Sequence, residues 1–205
     1  REDEQDMNVE VYTLNAFAKD GSGGNPAGVV LDAGSMTAAE MLRTAKEVGF
    51  SETAFVGKSA FAGYKLRYFT PASEVDLCGH ATVAAFFLLY ALGLEPTGTY
   101  PLETKAGLLE VSISRGGEVY LSQALPQFGE TLPRQEIAAS LGIGIEDLAE
   151  ELPVQIVSTG LPDILVPVNS RQRLAGIQPD FAAITAISEK YNVIGCHLFT
   201  RDTPD

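Results

Sequence analysis

The chain has 205 residues, is 45% hydrophobic and carries a formal net charge of −13. That size and apolar content suit one or two globular domains with a buried core. The acidity and the lack of a Lys/Arg stripe argue against nucleic acid and anionic membranes as partners, and no apolar run is long enough to span a bilayer.

The polar opening Arg1–Asp6 precedes Met7 and reads as a remnant of expression or a flexible leader. Val9–Leu14 is predicted as a strand. Gly21–Pro26 (GSGGNP) reads as a backbone-driven loop and Ala27–Leu31 as a second strand. Thr37–Val48 is predicted as a helix, with Thr37 and Glu40 as a capping box and Gly49 as its stop. Thr53–Gly57 and Tyr64–Phe69 read as strands. Ala81–Leu92 (ATVAAFFLLYAL) is a helix that is apolar almost all the way round, so other structure should wrap it. Leu108–Ser114 and Val119–Gln123 alternate about Gly116-Gly117 and read as a hairpin.

The second half starts the same way. Val154–Ser158 is a predicted strand, Thr159–Pro162 a loop, Ile164–Val168 a strand, Asp180–Tyr191 a helix capped by Asp180, and Val193–Thr200 a strand. The order of elements suggests a duplication, with domains at 7–118 and 119–205 and the second copy cut short.

Three segments carry the candidate chemistry. Gly79 and His80 stand at the mouth of the apolar helix, where free N–H groups and the positive end of the dipole suit a carboxylate. Glu52 opens a strand after a helix stop, a place from which a carboxylate can turn into a cleft and do acid/base work. Gly24 and Gly79 permit close backbone approach to a ligand. On residue type alone, the stronger reading of Glu52 is an exposed strand-end acid. His80 reads equally as an N-terminal helix residue bonded to backbone, and Cys78 as a small buried hydrophobe. Cys78 and Cys196 lie far apart with no CxxC partner, so no disulfide framework is expected, which fits a reducing cytoplasm; the two cysteines and two histidines show no zinc-ligand spacing.

Taken together, Asn15-Ala16-Phe17, Gly24-Asn25-Pro26-Ala27, Ser51-Glu52-Thr53-Ala54-Phe55, Arg67–Pro71, Glu74-Val75, Cys78–Thr82 and Ser158–Pro162 resemble the PhzF family. These are phenazine-biosynthesis-like isomerases related in fold to diaminopimelate epimerase. The resemblance implies an α/β (α+β) fold of two pseudo-symmetric epimerase-like domains, each a barrel-like mixed sheet around a central helix, the second incomplete here. It implies cofactor-independent proton transfer on a small carboxylated metabolite. Carried over residue by residue, Glu52 is the expected acid/base and His80 the active-site histidine. Asn25, Ser51, Gly79, Ala81, Thr82 and Gly160 are the expected substrate contacts. No metal or other cofactor is expected; a homodimer and a cytoplasmic location are. Cys78 precedes the Gly-His pair where characterised phenazine enzymes differ, and the family's second-half motif does not occur before Asp205. Two other readings stay open: a non-catalytic binding module on the same fold, and a thiol-dependent racemase or epimerase using Cys78. Cys196, on a predicted strand, is a poor second base for the latter.

Overall fold

The computed structural model describes residues 8–203; the leader Arg1–Asp6 lies outside them. The described residues form two compact units, divided at Ser122/Gln123.

In the first unit an extended sheet curls around one helix. Its strands are β1 (Tyr12–Ala16), β2 (Asn25–Val30), β3 (Glu52–Lys58), β4 (Tyr64–Phe69), β6 (Gly98–Thr104), β7 (Gly107–Ile113) and β8 (Val119–Leu121), in that order across the sheet, with β5 (Glu74–Val75) pairing β4 off the main path. β1 and β2 are antiparallel, whereas β2 and β3 are parallel, joined by helix α1 (Ala38–Val48). Both halves of the expected capping box are present on α1, and Gly49 ends it in the left-handed conformation at φ 72°. The loop before β2 needs its glycine. Gly24 has φ 83°, and a Cβ there would stand 2.6 Å from the Ala16 carbonyl oxygen.

Alternation along the strands sorts the two faces. Ala27, Val29, Ala54, Val56, Leu66 and Tyr68 face inward, and pack with Ala81, Ala84, Ala85, Phe86, Leu88 and Leu89 of helix α2 (Gly79–Ala91). Val30, Phe55 and Phe69 face the other way, against Met41 and Ala45 of α1. The central strands are therefore buried on both faces, as a parallel pair requires.

One expectation needs correction. The central helix is not wrapped all round: Phe87 is 46% exposed and Leu92 47%. The sheet is a half-barrel whose end strands β1 and β8 do not pair. Phe87 and Val83 look into the seam, a cavity of about 560 Å³ bounded by Leu14–Ala18 on one side and Gly116–Val119 on the other. The hairpin expected about Gly116-Gly117 forms, with β7 and β8 antiparallel on either side of it, and it is the last arm of a meander, because β7 also pairs along its whole length with β6. That strand escaped prediction because Pro101 lies in its middle and lowers the strand signal.

The second unit has a four-stranded sheet ordered β12 (Cys196–Phe199), β11 (Pro162–Pro167), β10 (Gln155–Ser158), β9 (Gln127–Thr131). Helices α3 (Arg134–Ser140), α4 (Arg171–Gly176) and α5 (Phe181–Tyr191) complete it. Asp180 caps α5 as expected, its Oδ1 accepting from the amides of Ala182 and Ala183 at 3.0 and 3.2 Å. Ile137, Leu141, Val154, Ile164 and Val166 form its core. No helix among the described residues is long and apolar enough to cross a membrane.

Candidate active site

Glu52 is the first residue of β3, because Gly49 has just terminated α1. Its side chain shares a face with Ala54 and Val56, and that face covers α2. Period-two alternation thus aims the carboxylate at the helix rather than into water. Asn25 opens the neighbouring parallel strand, two residues before Ala27, the register partner of Glu52. Ser51 is exposed just ahead of Glu52.

The helix begins two residues earlier than its apolar pattern suggests, so Gly79 and His80 are its first two residues and Cys78 its N-cap. Cys78 makes no side-chain cap bond. The first helical bond runs from the Thr82 amide to the Cys78 carbonyl, which leaves the amides of Gly79, His80 and Ala81 at the positive end of the dipole. Gly79 has open space where a Cβ would stand, so the chain's own packing does not demand glycine there.

Glu52 and His80 meet at this point. Glu52 Oε2 lies 3.5 Å from His80 Nε2, with the side chains 23% and 10% exposed. Nε2 is buried yet makes no hydrogen bond. His80 Nδ1 stands 3.3 Å from Cys78 Sγ. Burial pushes the Cys78 thiol up from its ordinary 9.0 to about 12; the charge of Glu52 adds to this, and the amides of Ala81 and His80 pull the other way. A protonated thiol donates, so it favours the tautomer with a bare Nδ1 and the proton on Nε2, facing the carboxylate.

The mouth is held in place by Thr82 and by Tyr68, a residue to which the motif reading gave no role. Tyr68 and Thr82 share a hydroxyl–hydroxyl bond of 2.6 Å, and Thr82 Oγ1 donates to the Cys78 carbonyl at 2.7 Å. Thr82 is fully buried, and both its amide and its hydroxyl are engaged inside the protein. Those bonds anchor the helix start. Ala81 is also fully buried, backbone included. Tyr68 is signalled by the alternation Leu66–Tyr68, which places its ring against α2. Gly160 belongs to the second unit, in the turn between β10 and β11, with φ 146°.

Fold and site together define an α/β protein of the diaminopimelate-epimerase-like fold. The chain matches the PhzC-PhzF family, phenazine biosynthesis-like protein, over residues 14–203, and belongs to that family. It is 41% identical over 200 residues to "Uncharacterized isomerase YfhB" of Bacillus subtilis, covering 95% of this chain and 68% of that one. The crystal structure of the phenazine biosynthesis protein, PhzF family, of Bacillus anthracis is 36% identical, covers 96% of this chain and 68% of that chain, and superposes with a TM-score of 0.85. A predicted epimerase, PA4716 from Pseudomonas aeruginosa, shares the fold at 24% identity and a TM-score of 0.82, over 93% of this chain and 70% of that one. The chain spans about two thirds of the length of the curated relatives it matches.

Proposed function

We propose that the protein to which this chain belongs is a cofactor-independent isomerase that moves a proton on a small carboxylated metabolite. Glu52 is the proton carrier in this reading, and His80 the donor that steadies its charge. Amides at the start of α2, with Asn25 on the adjacent strand, receive the substrate carboxylate. The observation that carries the reading is the pairing of the Glu52 carboxylate with a nine-tenths buried His80 at the mouth of an apolar helix. A chemically ordinary strand-end acid has no reason to be there. The isomerase names of the relatives support the reaction class.

The thiol-epimerase reading draws on the contact between Cys78 Sγ and His80. Burial counts against it, since a thiol held at about 12 supplies little thiolate at neutral pH. The test is hydrogen exchange. The full-length protein is incubated in D₂O with a panel of small carboxylates, and C–H loss is followed by NMR. Glu52→Gln should slow exchange by about 10²–10⁴-fold, the usual worth of a positioned acid/base, while Cys78→Ser keeps most of it. The reverse pattern would assign the chemistry to the thiol. Binding without exchange would make the fold a ligand-binding module.

A further inference from the structure

Cys78 and His80 flank Gly79 at the start of α2, and the fold brings Glu52, from the start of β3, to the same pair. One ligand atom from each lies within 4.8 Å of the others, and among the described residues no other His/Cys/Asp/Glu trio does this. A carboxylate oxygen, a thiol sulfur and an imidazole nitrogen are the mixed donors that zinc and cobalt accept, and magnesium and calcium do not. The second observation is independent of that count. His80 Nε2 is buried on a side chain only 10% exposed and makes no hydrogen bond, its carboxylate neighbour Glu52 standing off at 3.5 Å, so a polar atom in a cluster of donors is left without a bond.

We propose that these three side chains form a binding site for a zinc-class divalent cation, with the fourth coordination position open. Donors sharing one tetrahedral zinc stand roughly 3.4–3.6 Å apart, given bonds of about 2.0–2.3 Å. Side-chain shifts of about an ångström close the present arrangement onto an ion. The Cys78–S–H bond breaks as the sulfur–metal bond forms, and the proton leaves to solvent. One thiolate and one carboxylate then balance the charge of the ion, with the imidazole neutral. Thr82 already fixes the Cys78 backbone through its carbonyl, so one ligand is oriented in advance. The consequence for activity rests on the proposed roles of Glu52 and His80: while they hold the ion they carry no protons, and zinc becomes a reversible inhibitor rather than a cofactor.

The experiment is a cobalt titration of the reduced, metal-free chain, with no substrate present. The expected result is one equivalent of Co²⁺ bound, with a thiolate-to-cobalt charge-transfer band and the intense visible absorption of a four-coordinate ion, both displaced by Zn²⁺. Cys78→Ser should abolish the charge-transfer band, and Cys196→Ser should leave it intact. Glu52→Gln should weaken binding by at least the roughly tenfold that even outer hydrogen-bond partners of metal ligands are worth; circular dichroism confirms that each variant is folded. A band that follows Cys196 instead, an absorption typical of six-coordination, or no band at millimolar cobalt would each overturn the site. Hydrogen exchange can fail while the band survives, so the metal site and the catalytic reading stand or fall separately.

Discussion

In the first unit β2 pairs antiparallel with β1 and parallel with β3; in the second, β11 pairs antiparallel with β10 and parallel with β12. Helices lie between the parallel partners in both cases. Glu52 opens β3 in register with Ala27, and Cys196 opens β12 in register with Ile164. The same position in the same topology therefore carries an acid once and a thiol once. What makes the first a candidate site is the helix that faces it. The face of β3 that bears Glu52 covers α2, whose second residue is His80. The histidine next to Cys196 is His197, its immediate neighbour on the strand, so the two side chains point to opposite faces. Strand topology supplies a place for a functional group, and a facing helix mouth turns that place into a site.

The largest effect should come from exchanging the two positions' chemistry. Glu52→Gln is expected to cost about 10²–10⁴-fold in hydrogen exchange, and Cys196→Ser to leave the rate within experimental scatter. Equal losses would mean that the second unit's strand start shares the reaction and that a facing helix mouth is not what makes the site.

The separate cores offer a second test. Phe86 is fully buried against α2's partners, and Ile164 is fully buried in the other unit. Truncation to alanine should cost about 3–5 kcal/mol for Phe86 and about 2–5 kcal/mol for Ile164. Calorimetry is the measurement. If the units unfold as separate cooperative blocks, Phe86→Ala shifts one transition and Ile164→Ala the other; a single transition moved by both would merge them thermodynamically.

Much of this arrangement could be read from residue order. The capping box of α1, the apolar run of α2 and the cap of α5 each announce themselves locally, and each forms. The meeting of Glu52 with His80 is a different matter. Nothing local to Glu52 distinguishes it from an exposed acid; the family resemblance pointed to it, and the register of β3 against the α2 face explains it. The exposure of Phe87 was invisible for a related reason. A helix apolar all round says that it must be covered, not that the covering sheet leaves a seam between β1 and β8. Pro101 hid β6 because a proline is tolerated there by the particular pairing around it, which composition does not encode.

A smaller effect separates backbone approach from packing at the helix mouth. A Cβ at Gly79 meets nothing within 4 Å, so Gly79→Ala should be neutral to slightly stabilising, by up to about 1 kcal/mol. If a carboxylate seats on these amides, the same methyl should weaken its binding by about tenfold, or 1.4 kcal/mol. Calorimetric titration with a bound carboxylate, set beside the melting temperature, separates the two. Unchanged affinity would remove the helix mouth from the ligand site.

The smallest effect lies in alkaline pH, where the two thiols are compared directly. Both are raised above 9.0, Cys78 to about 12, each first by burial and then by a nearby carboxylate, Glu52 or Asp163. A raised folded pKa means that the native state keeps its proton where the unfolded chain has lost it. The stabilisation is then fully present below pH 9 and declines as pH rises toward the folded value. Tyr64 and Tyr68 are also raised, each mainly by burial, from 10.0, so they join the decline only above about pH 10. Between pH 9 and 10 the thiols stand apart from them. There the melting temperature should fall with a slope worth at most about 1.4 kcal/mol per pH unit for each thiol. Cys78→Ala should flatten that slope more than Cys196→Ala, because Cys78 is the more deeply buried. The slope, not the absolute melting temperature, is the readout, since the substitution also removes a packed sulfur. An unaltered slope in Cys78→Ala would show that the thiol beside His80 is not held protonated, and would return it to contention as the base that Glu52 is proposed to be.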